Sequence, residues 1–136
     1  MKKTPLITGK EGEFKVIGKL LEKGFEVYLP VVDVGIDCVI RTDTGYKEIQ
    51  IKTREKTGRY FFDVPDFEPK DNLFIICYTT TERNDLWIIP SKDFKKYATR
   101  VKSKSKIKLR LTLGKKNSDK RKRLEKYKNN FKLLTV

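Results

Sequence analysis

The chain has 136 residues, of which 38% are hydrophobic and 37% charged, and it carries a formal net charge of +14 without any histidine. The absence of histidine excludes histidine-based zinc sites and the imidazole chemistry of Ser-His-Asp and Cys-His hydrolases. No apolar run approaches the roughly 20 residues of a membrane span, and residues 1–10 lack the apolar stretch of a signal peptide. We therefore expect one cytoplasmic domain that spans residues 1–136.

The first half of the chain predicts a helix followed by strands. Residues 10–23 have apolar side chains at helical spacing, and Gly24 follows as a stop signal. A short strand at 25–30 ends at a proline. Two further strands, at 36–41 and 46–53, flank a turn and are expected to pair as a hairpin.

The second half predicts three more strands before a helix. RYFFDV at 59–64 is a strand candidate, the almost wholly apolar run 72–79 is typical of a strand covered on both faces, and 85–90 is another strand. A helix is expected to start near Ser91, with this serine as its N-cap.

The C-terminal part predicts a basic strand at 102–113 and a final helix from about Ser118 to Leu133. Leu124, Tyr127 and Phe131 form one stripe of that helix. The whole order predicts an α/β fold, a sandwich with a central mixed β-sheet flanked by helices.

The two cysteines, Cys38 and Cys77, lie inside apolar runs and are predicted to be buried small hydrophobic residues. Trp87 and Tyr78 also lie in apolar strands and are predicted to be core residues. Since two cysteines without histidine do not complete a structural zinc site, a metal would need oxygen ligands, as Mg²⁺ or Mn²⁺ prefers.

The positive charge is concentrated near the C-terminus. Residues 1–91 carry 14 Lys and Arg against 15 Asp and Glu, whereas residues 92–136 carry 18 against 3. Such asymmetry is typical of a surface that binds a polyanion, most often nucleic acid, and a solubilising basic tail is the alternative.

The pattern at 102–113 favours a folded basic surface over a tail. Its cations alternate with serine and apolar residues, so a strand would place every cation on one side and Ile107, Leu109 and Leu111 on the core. The predicted DNA contacts are Lys102, Lys104, Lys106, Lys108, Arg110, Lys115, Lys116, Lys120 and Arg121.

Chemistry is predicted in the hairpin. Glu48, Gln50 and Lys52 share one face of its second strand, and such a polar face is costly to bury unless its groups have partners. Strand pairing would bring Asp37 near Gln50 and Lys52, while the preceding helix offers Glu11 and Glu13. Carboxylate and amide oxygens can hold a divalent ion beside a scissile phosphate, and a lysine can orient or help deprotonate a water.

This arrangement resembles the PD-(D/E)XK nuclease superfamily. GEFKVIGKLLEKGFEVYLP looks like its opening helix and strand, and GID and IQIKT look like its motif. The resemblance is closest to small stand-alone endonucleases, including intron-encoded homing enzymes, with Gln before the motif Lys. It implies a restriction-endonuclease-like core, Glu13, Asp37, Gln50 and Lys52 as catalytic residues, and the first three as ligands of Mg²⁺ or Mn²⁺.

Two departures from the family pattern stand out. Gln50 stands where the family usually has Glu, so the site has one anionic ligand fewer. Glu48 lies on the same strand face and either partly compensates for this loss or is only a surface residue. No Pro-Asp dipeptide precedes the hairpin.

The expected function is therefore a metal-dependent endonuclease that acts on double-stranded or branched DNA as a homodimer or higher oligomer. Restriction, homing and junction resolution all remain open. A catalytically inactive DNA-binding protein of the same fold is the alternative. An RNA-binding protein associated with the ribosome would leave the acid–amide–lysine cluster unexplained.

Overall fold

The computed structural model describes residues 1–32, 34–54, 61–80, 84–115 and 117–136. None of the helices in these ranges is long and apolar enough to cross a membrane. In chain order the elements are α1 (Pro5–Glu22), β1 (Glu26–Tyr28), β2 (Cys38–Thr42), β3 (Gly45–Arg54), β4 (Phe61–Pro65), β5 (Leu73–Thr79), β6 (Asp85–Pro90), α2 (Ser91–Tyr97), β7 (Thr99–Ser103), β8 (Lys106–Thr112), α3 (Asp119–Leu124) and two 3₁₀ turns (Glu125–Tyr127 and Phe131–Thr135).

The main sheet is mixed, as predicted, and has the strand order β1-β2-β3-β5-β6. Only the β3–β5 pair is parallel among the pairs of this sheet in the described chain. Helix α1 covers one face of the sheet, where Val16 and Leu20 pack in one apolar cluster with Ile49 and Ile51 of β3. The mixed sheet and its flanking helices confirm the predicted fold class.

A second sheet, β4-β8-β7, covers the opposite face of the main sheet and was not predicted. Leu109 and Leu111 of β8 contribute to a core that also contains Ile75, Cys77 and Trp87. The predictions that both cysteines, Trp87 and Tyr78 are buried are confirmed.

The predicted basic strand is in fact a hairpin, because the chain turns at Lys104, whose φ is +55°. Lys102 lies opposite Ile107, and directly paired residues share one face of a sheet. Lys102 therefore lies on the face of Leu109, away from Lys106 and Lys108. The prediction that all the cations share one side is wrong, and so is the burial of Ile107, which is 41% exposed.

Helix α1 starts five residues earlier than predicted. Thr4 is its N-cap, with Oγ1 accepting a 3.2 Å hydrogen bond from the backbone N–H of Ile7, and Pro5 occupies the first helical position, where its missing N–H costs nothing. The prediction of Ser91 as an N-cap is wrong. Its hydroxyl is buried and instead donates to the carbonyl oxygen of Lys70 and accepts from the N–H of Lys70.

The predicted C-terminal helix is interrupted after Tyr127. Asn129 adopts a φ of +51°, donates its backbone N–H to the carbonyl of Leu86 at 2.6 Å, and accepts the N–H of Leu86 through Oδ1 at 2.9 Å. These bonds pair the segment with the outer edge of β6, which a continuous helix would leave open. Leu124 and Tyr127 are buried and Phe131 is half-buried, so the predicted apolar stripe persists in part.

Candidate active site

Asp37 lies directly before β2 and is fastened to β3 through both its backbone and its side chain. Its N–H donates to the carbonyl of Ile49 at 2.9 Å, and its Oδ2 accepts a 2.6 Å hydrogen bond from the N–H of Ile51. The β2–β3 register pairs Cys38 with Ile49, so its continuation places Asp37 beside Gln50. The predicted proximity of Asp37 to the second hairpin strand is confirmed.

The electrostatic environment of Asp37 brings three elements of the fold together. Burial raises the pKa of this carboxyl, and the nearby charge of Glu13 raises it further. The hydrogen bond from Ile51 and the charges of Lys52 and Lys10 lower the pKa of Asp37. Glu13 of α1 and Lys52 of β3 therefore each lie within interaction range of Asp37, which stands at the entry to β2.

Glu13 reaches this cluster because α1 packs closely against β3. A Cβ atom on the buried Gly12 would overlap the side chain of Thr53, lying 2.8 Å from its Cβ. Only glycine permits this approach without a shift of the helix or the strand. Glu13 follows Gly12 and is half-buried, with Nζ of Lys10 at 3.1 Å from its Oε2. Gly12 is therefore a positioning residue, which the local sequence pattern does not reveal.

Gln50 and Lys52 lie on the face of β3 that is turned toward the second sheet, opposite Ile75 and Cys77 of β5. Both are half-buried, so the polar face of this strand is neither fully solvated nor sealed in the core. Glu48, on the same face, accepts a 3.3 Å hydrogen bond from Nζ of Lys70. This ion pair favours the interpretation of Glu48 as a surface residue.

Two surface grooves meet at Ile36, which lines both. The first lies between α1 and the loop after β1, and it is lined by Glu13 and Asp37. The second lies between β3 and residues 65–70, and it is lined by Gln50. Glu13 and Asp37 thus lie in one groove and Gln50 in the other, with Ile36 between them.

The donor set fits a magnesium-type ion. Asp37, Glu13 and Gln50 offer two carboxylates and an amide oxygen, and Mg²⁺ commonly uses one or two carboxylates and completes its shell with water and substrate phosphates. The raised pKa of Asp37 also marks a site where negative charges crowd in partly buried surroundings, which a cation would relieve. Within the described ranges no group of three or more Asp, Glu, Cys or His residues is arranged to hold a metal. Asp33, near the site in sequence, lies outside those ranges.

The predicted DNA contacts differ in their surroundings. Arg110 is held by Asp63 through two hydrogen bonds, of 2.8 and 3.0 Å, and this pair lowers the pKa of Asp63. Arg121 is only 5% exposed and lies over the ring of Trp87, so little of its side chain is accessible to a phosphate. Lys116 lies outside the described residues. The remaining predicted contacts, all exposed, are Lys102, Lys104, Lys106, Lys108, Lys115 and Lys120.

A cluster of cations around Tyr97 was missed. Nζ of Lys96, Cζ of Arg123 and Nζ of Lys126 lie 5.4, 5.7 and 6.0 Å from the centre of this ring. Tyr97, Arg123 and Lys120 also line a shared groove. The sequence signal was present in the run KRKR at 120–123, but only the fold shows which of its members face outward.

Comparisons with known proteins agree with this geometry. The family model for the PD-(D/E)XK endonuclease matches residues 4–134. Among solved structures, the bacterial homing endonuclease I-Ssp6803I matches with a TM-score of 0.67 and 16% sequence identity, covering 98% of this chain and 92% of that chain. At this identity the match shows a shared fold. No curated protein matches significantly.

Proposed function

The chain belongs to the PD-(D/E)XK endonuclease family, and from this premise we propose that it is a metal-dependent endonuclease that hydrolyses DNA phosphodiester bonds. The observation that carries the proposal is the convergence of Asp37, Glu13 and Lys52 from three separate elements. An acid pair beside a lysine on a partly buried surface is suited to metal-assisted hydrolysis of a phosphodiester.

Each residue has a proposed role. Asp37, Glu13 and the amide oxygen of Gln50 hold Mg²⁺ or Mn²⁺, which supplies a positive charge against the charge that develops on the scissile phosphate. Lys52 orients the attacking water and helps to remove its proton. Asp37 keeps its orientation through the hydrogen bond from Ile51, so its position does not depend on the ion.

The basic hairpin β7–β8 and the cation cluster around Tyr97 are proposed to hold the DNA backbone. Lys106 and Lys108 are exposed, and Lys108 lies opposite Pro65, which lines the groove of Gln50. Cations next to that groove would place a phosphate backbone across it. Contacts with phosphates position DNA without selecting its sequence. The homing endonuclease among the structural matches supports a homing-type DNA target as the first specific substrate to test.

A DNA-binding protein without catalysis is the second candidate, and one observation favours it. Gln50 leaves the site with two carboxylates, and a neutral amide binds a divalent ion more weakly than a carboxylate does. Such a protein would bind DNA through the basic surface with no requirement for Mg²⁺.

Cleavage assays separate the two candidates. Supercoiled plasmid and a four-way junction are incubated with Mg²⁺ or Mn²⁺ and the wild type, Asp37→Ala or Lys52→Ala. Lys19→Ala on α1 is a control that matches the charge change of Lys52→Ala. We expect metal-dependent cutting by the wild type and the control only, with DNA binding retained by all four proteins. Binding without cutting, on these substrates and on a randomised library of long target sites, would favour the inactive protein.

A further inference from the structure

Helix α1 is apolar on two opposite faces. Its inner face packs on the sheet through Gly12, Val16 and Leu20. At 100° per residue, Phe14 lies about 160° around the helix from Val16. Ile7 and Leu21 lie near the same angle, because they are seven residues on either side of Phe14. These three outer residues are 52%, 60% and 55% exposed in chain order, so they form an apolar stripe directed away from the fold.

The stripe continues into the segment after β1. Leu29, Val31, Val32 and Val34 are each more than half exposed, and Leu29 and Val31 line a groove together with Phe14. We define the outer stripe of α1 and residues 29–34, without Asp33, as the apolar surface. Asp33 interrupts the second part in sequence, and on α1 the ion-paired residues Lys10 and Glu11 lie between Ile7 and Phe14, so the apolar side chains are grouped on this surface but not continuous.

The area of the apolar surface is in the range of a stable protein interface. With Leu6 it contains eight large apolar side chains that are more than half exposed, each contributing on the order of 100 Å². The sum of these exposed areas is on the order of 800 Å². It equals about what one partner buries in a standard interface.

The geometry of the stripe fits a second copy of the same chain. Ile7 and Leu21 are equally distant from Phe14, so two antiparallel α1 helices related by a two-fold axis at Phe14 would place Ile7 against the partner's Leu21. Gly18 is exposed next to the stripe, and no atom lies within 4 Å of the position of a Cβ there, which leaves room for a close approach of helices.

The distribution of charge also favours self-association at this surface. Two copies of a chain with a net charge of +14 repel each other, and this repulsion is smallest when they meet at faces that carry no excess charge. The apolar surface belongs to the part of the chain that carries 14 basic against 15 acidic residues. Its neighbouring charges are paired, with Lys3 bonded to Glu11 at 2.7 Å and Lys10 to Glu13 at 3.1 Å. The basic hairpin of both copies would remain free.

We propose that the apolar surface is the interface of a homodimer, with two antiparallel α1 helices at its centre. The groove lined by Phe14 and Val31 also contains Glu13 and Asp37, so the partner covers one side of the candidate active site. If the protein is the proposed nuclease, an additional consequence is that two sites are held at a fixed spacing, as cleavage of both DNA strands requires.

The oligomeric state tests the interface without any assay of activity. Sedimentation velocity of the wild type from about 1 to 200 μM, without DNA and in high salt, should show a dimer. Phe14→Glu places two like charges face to face at the symmetry axis and should weaken the dimer roughly 100-fold or more. Ile107→Glu introduces the same charge at another exposed apolar residue and should leave the dimer intact. Circular dichroism checks that both variants fold.

Cross-linking tests the symmetry. Phe14→Cys should be joined into a covalent dimer by a short bis-maleimide, whereas Ile107→Cys should not, and Cys38 and Cys77 are buried in both. A wild type that remains monomeric at 200 μM overturns the proposal. So does a dimer that persists in folded Phe14→Glu, or a Phe14→Cys dimer that the reagent does not join.

Discussion

Oδ2 of Asp37 accepts a 2.6 Å hydrogen bond from the backbone N–H of Ile51, the residue between Gln50 and Lys52. The β2–β3 ladder ends at Cys38, and the side chain of Asp37 takes over as the partner of β3 beyond that point. The carboxylate of Asp37 thus extends the pairing of β2 with β3 and is itself held beside Gln50 and Lys52. A second acid, Glu13, arrives from α1 because Gly12 permits the helix to lie close to Thr53.

The substitution Asp37→Asn should separate activity from stability. Asparagine can still accept the hydrogen bond from Ile51, so the fold should persist, while the loss of a metal ligand should lower cleavage at least ~100-fold. Metal-induced thermal stabilisation should disappear with it. Cleavage and thermal unfolding with and without Mn²⁺ measure both effects, and a variant that keeps wild-type cleavage would remove Asp37 from the metal site.

The difference in stability between Asp37→Asn and the wild type should depend on pH. Burial raises the pKa of Asp37 in the folded protein above its ordinary value of 3.8, which applies to the unfolded chain. The free energy of unfolding therefore falls as the pH rises from the unfolded-state pKa through the folded-state pKa. Without metal, Asp37→Asn should therefore be at least as stable as the wild type at pH 7, and its advantage should shrink toward pH 4. Urea unfolding in EDTA at several pH values tests this, and a lower stability of the variant at pH 7 would contradict it.

Gln50→Glu should strengthen metal binding. A third carboxylate adds negative charge and a better ligand to a site that Asp37 and Glu13 already make acidic, so Mg²⁺ should bind several-fold more tightly. Without metal, repulsion among the carboxylates should lower the stability of this variant. Calorimetric titration with Mg²⁺ measures the affinity. Glu48→Gln, on the same strand face but paired with Lys70, is the control and should change the affinity little.

Lys108 and Arg121 should differ in their effect on DNA binding. Lys108 is exposed, and Lys108→Ala should reduce the slope of the logarithm of DNA affinity against the logarithm of salt concentration by about 1. Arg121 is buried over Trp87, and Arg121→Ala should leave that slope unchanged while it lowers the free energy of unfolding by on the order of 1–3 kcal/mol. Binding titrations at several salt concentrations and urea unfolding distinguish the two. A reduced slope for Arg121→Ala would assign it to the DNA surface after all.

Gly12→Ala should disturb the candidate active site through packing. The added methyl group overlaps Thr53, so α1 and β3 must separate, at a cost of roughly 1–3 kcal/mol in stability. Since Glu13 and Lys52 are neighbours of these two residues, cleavage should fall as well. Gly9→Ala is the matched control on the same helix, where nothing lies within 4 Å of the new atom, and it should stabilise the helix by up to ~1 kcal/mol. Equal effects of the two substitutions would exclude the contact with Thr53 as the cause.

The sequence by itself determined the elements whose patterns are local. The inner stripe of α1, the alternation in β3 and the apolar run of β5 follow from periods of 3.6 and 2, which depend only on backbone geometry. Asp37, Gln50 and Lys52 could be placed near one another for the same reason, because a short hairpin turn leaves few registers for pairing.

Only the tertiary structure decided the features that depend on distant contacts. Ser91 forms hydrogen bonds with the backbone of Lys70 and does not cap its helix. The predicted C-terminal helix is interrupted at Asn129, which forms hydrogen bonds with Leu86. Arg121 belongs to a run of cations, yet its position opposite Trp87 buries it. In each case a partner far away in sequence offers a hydrogen bond or a packing surface worth more than the local preference, and no local pattern contains that partner.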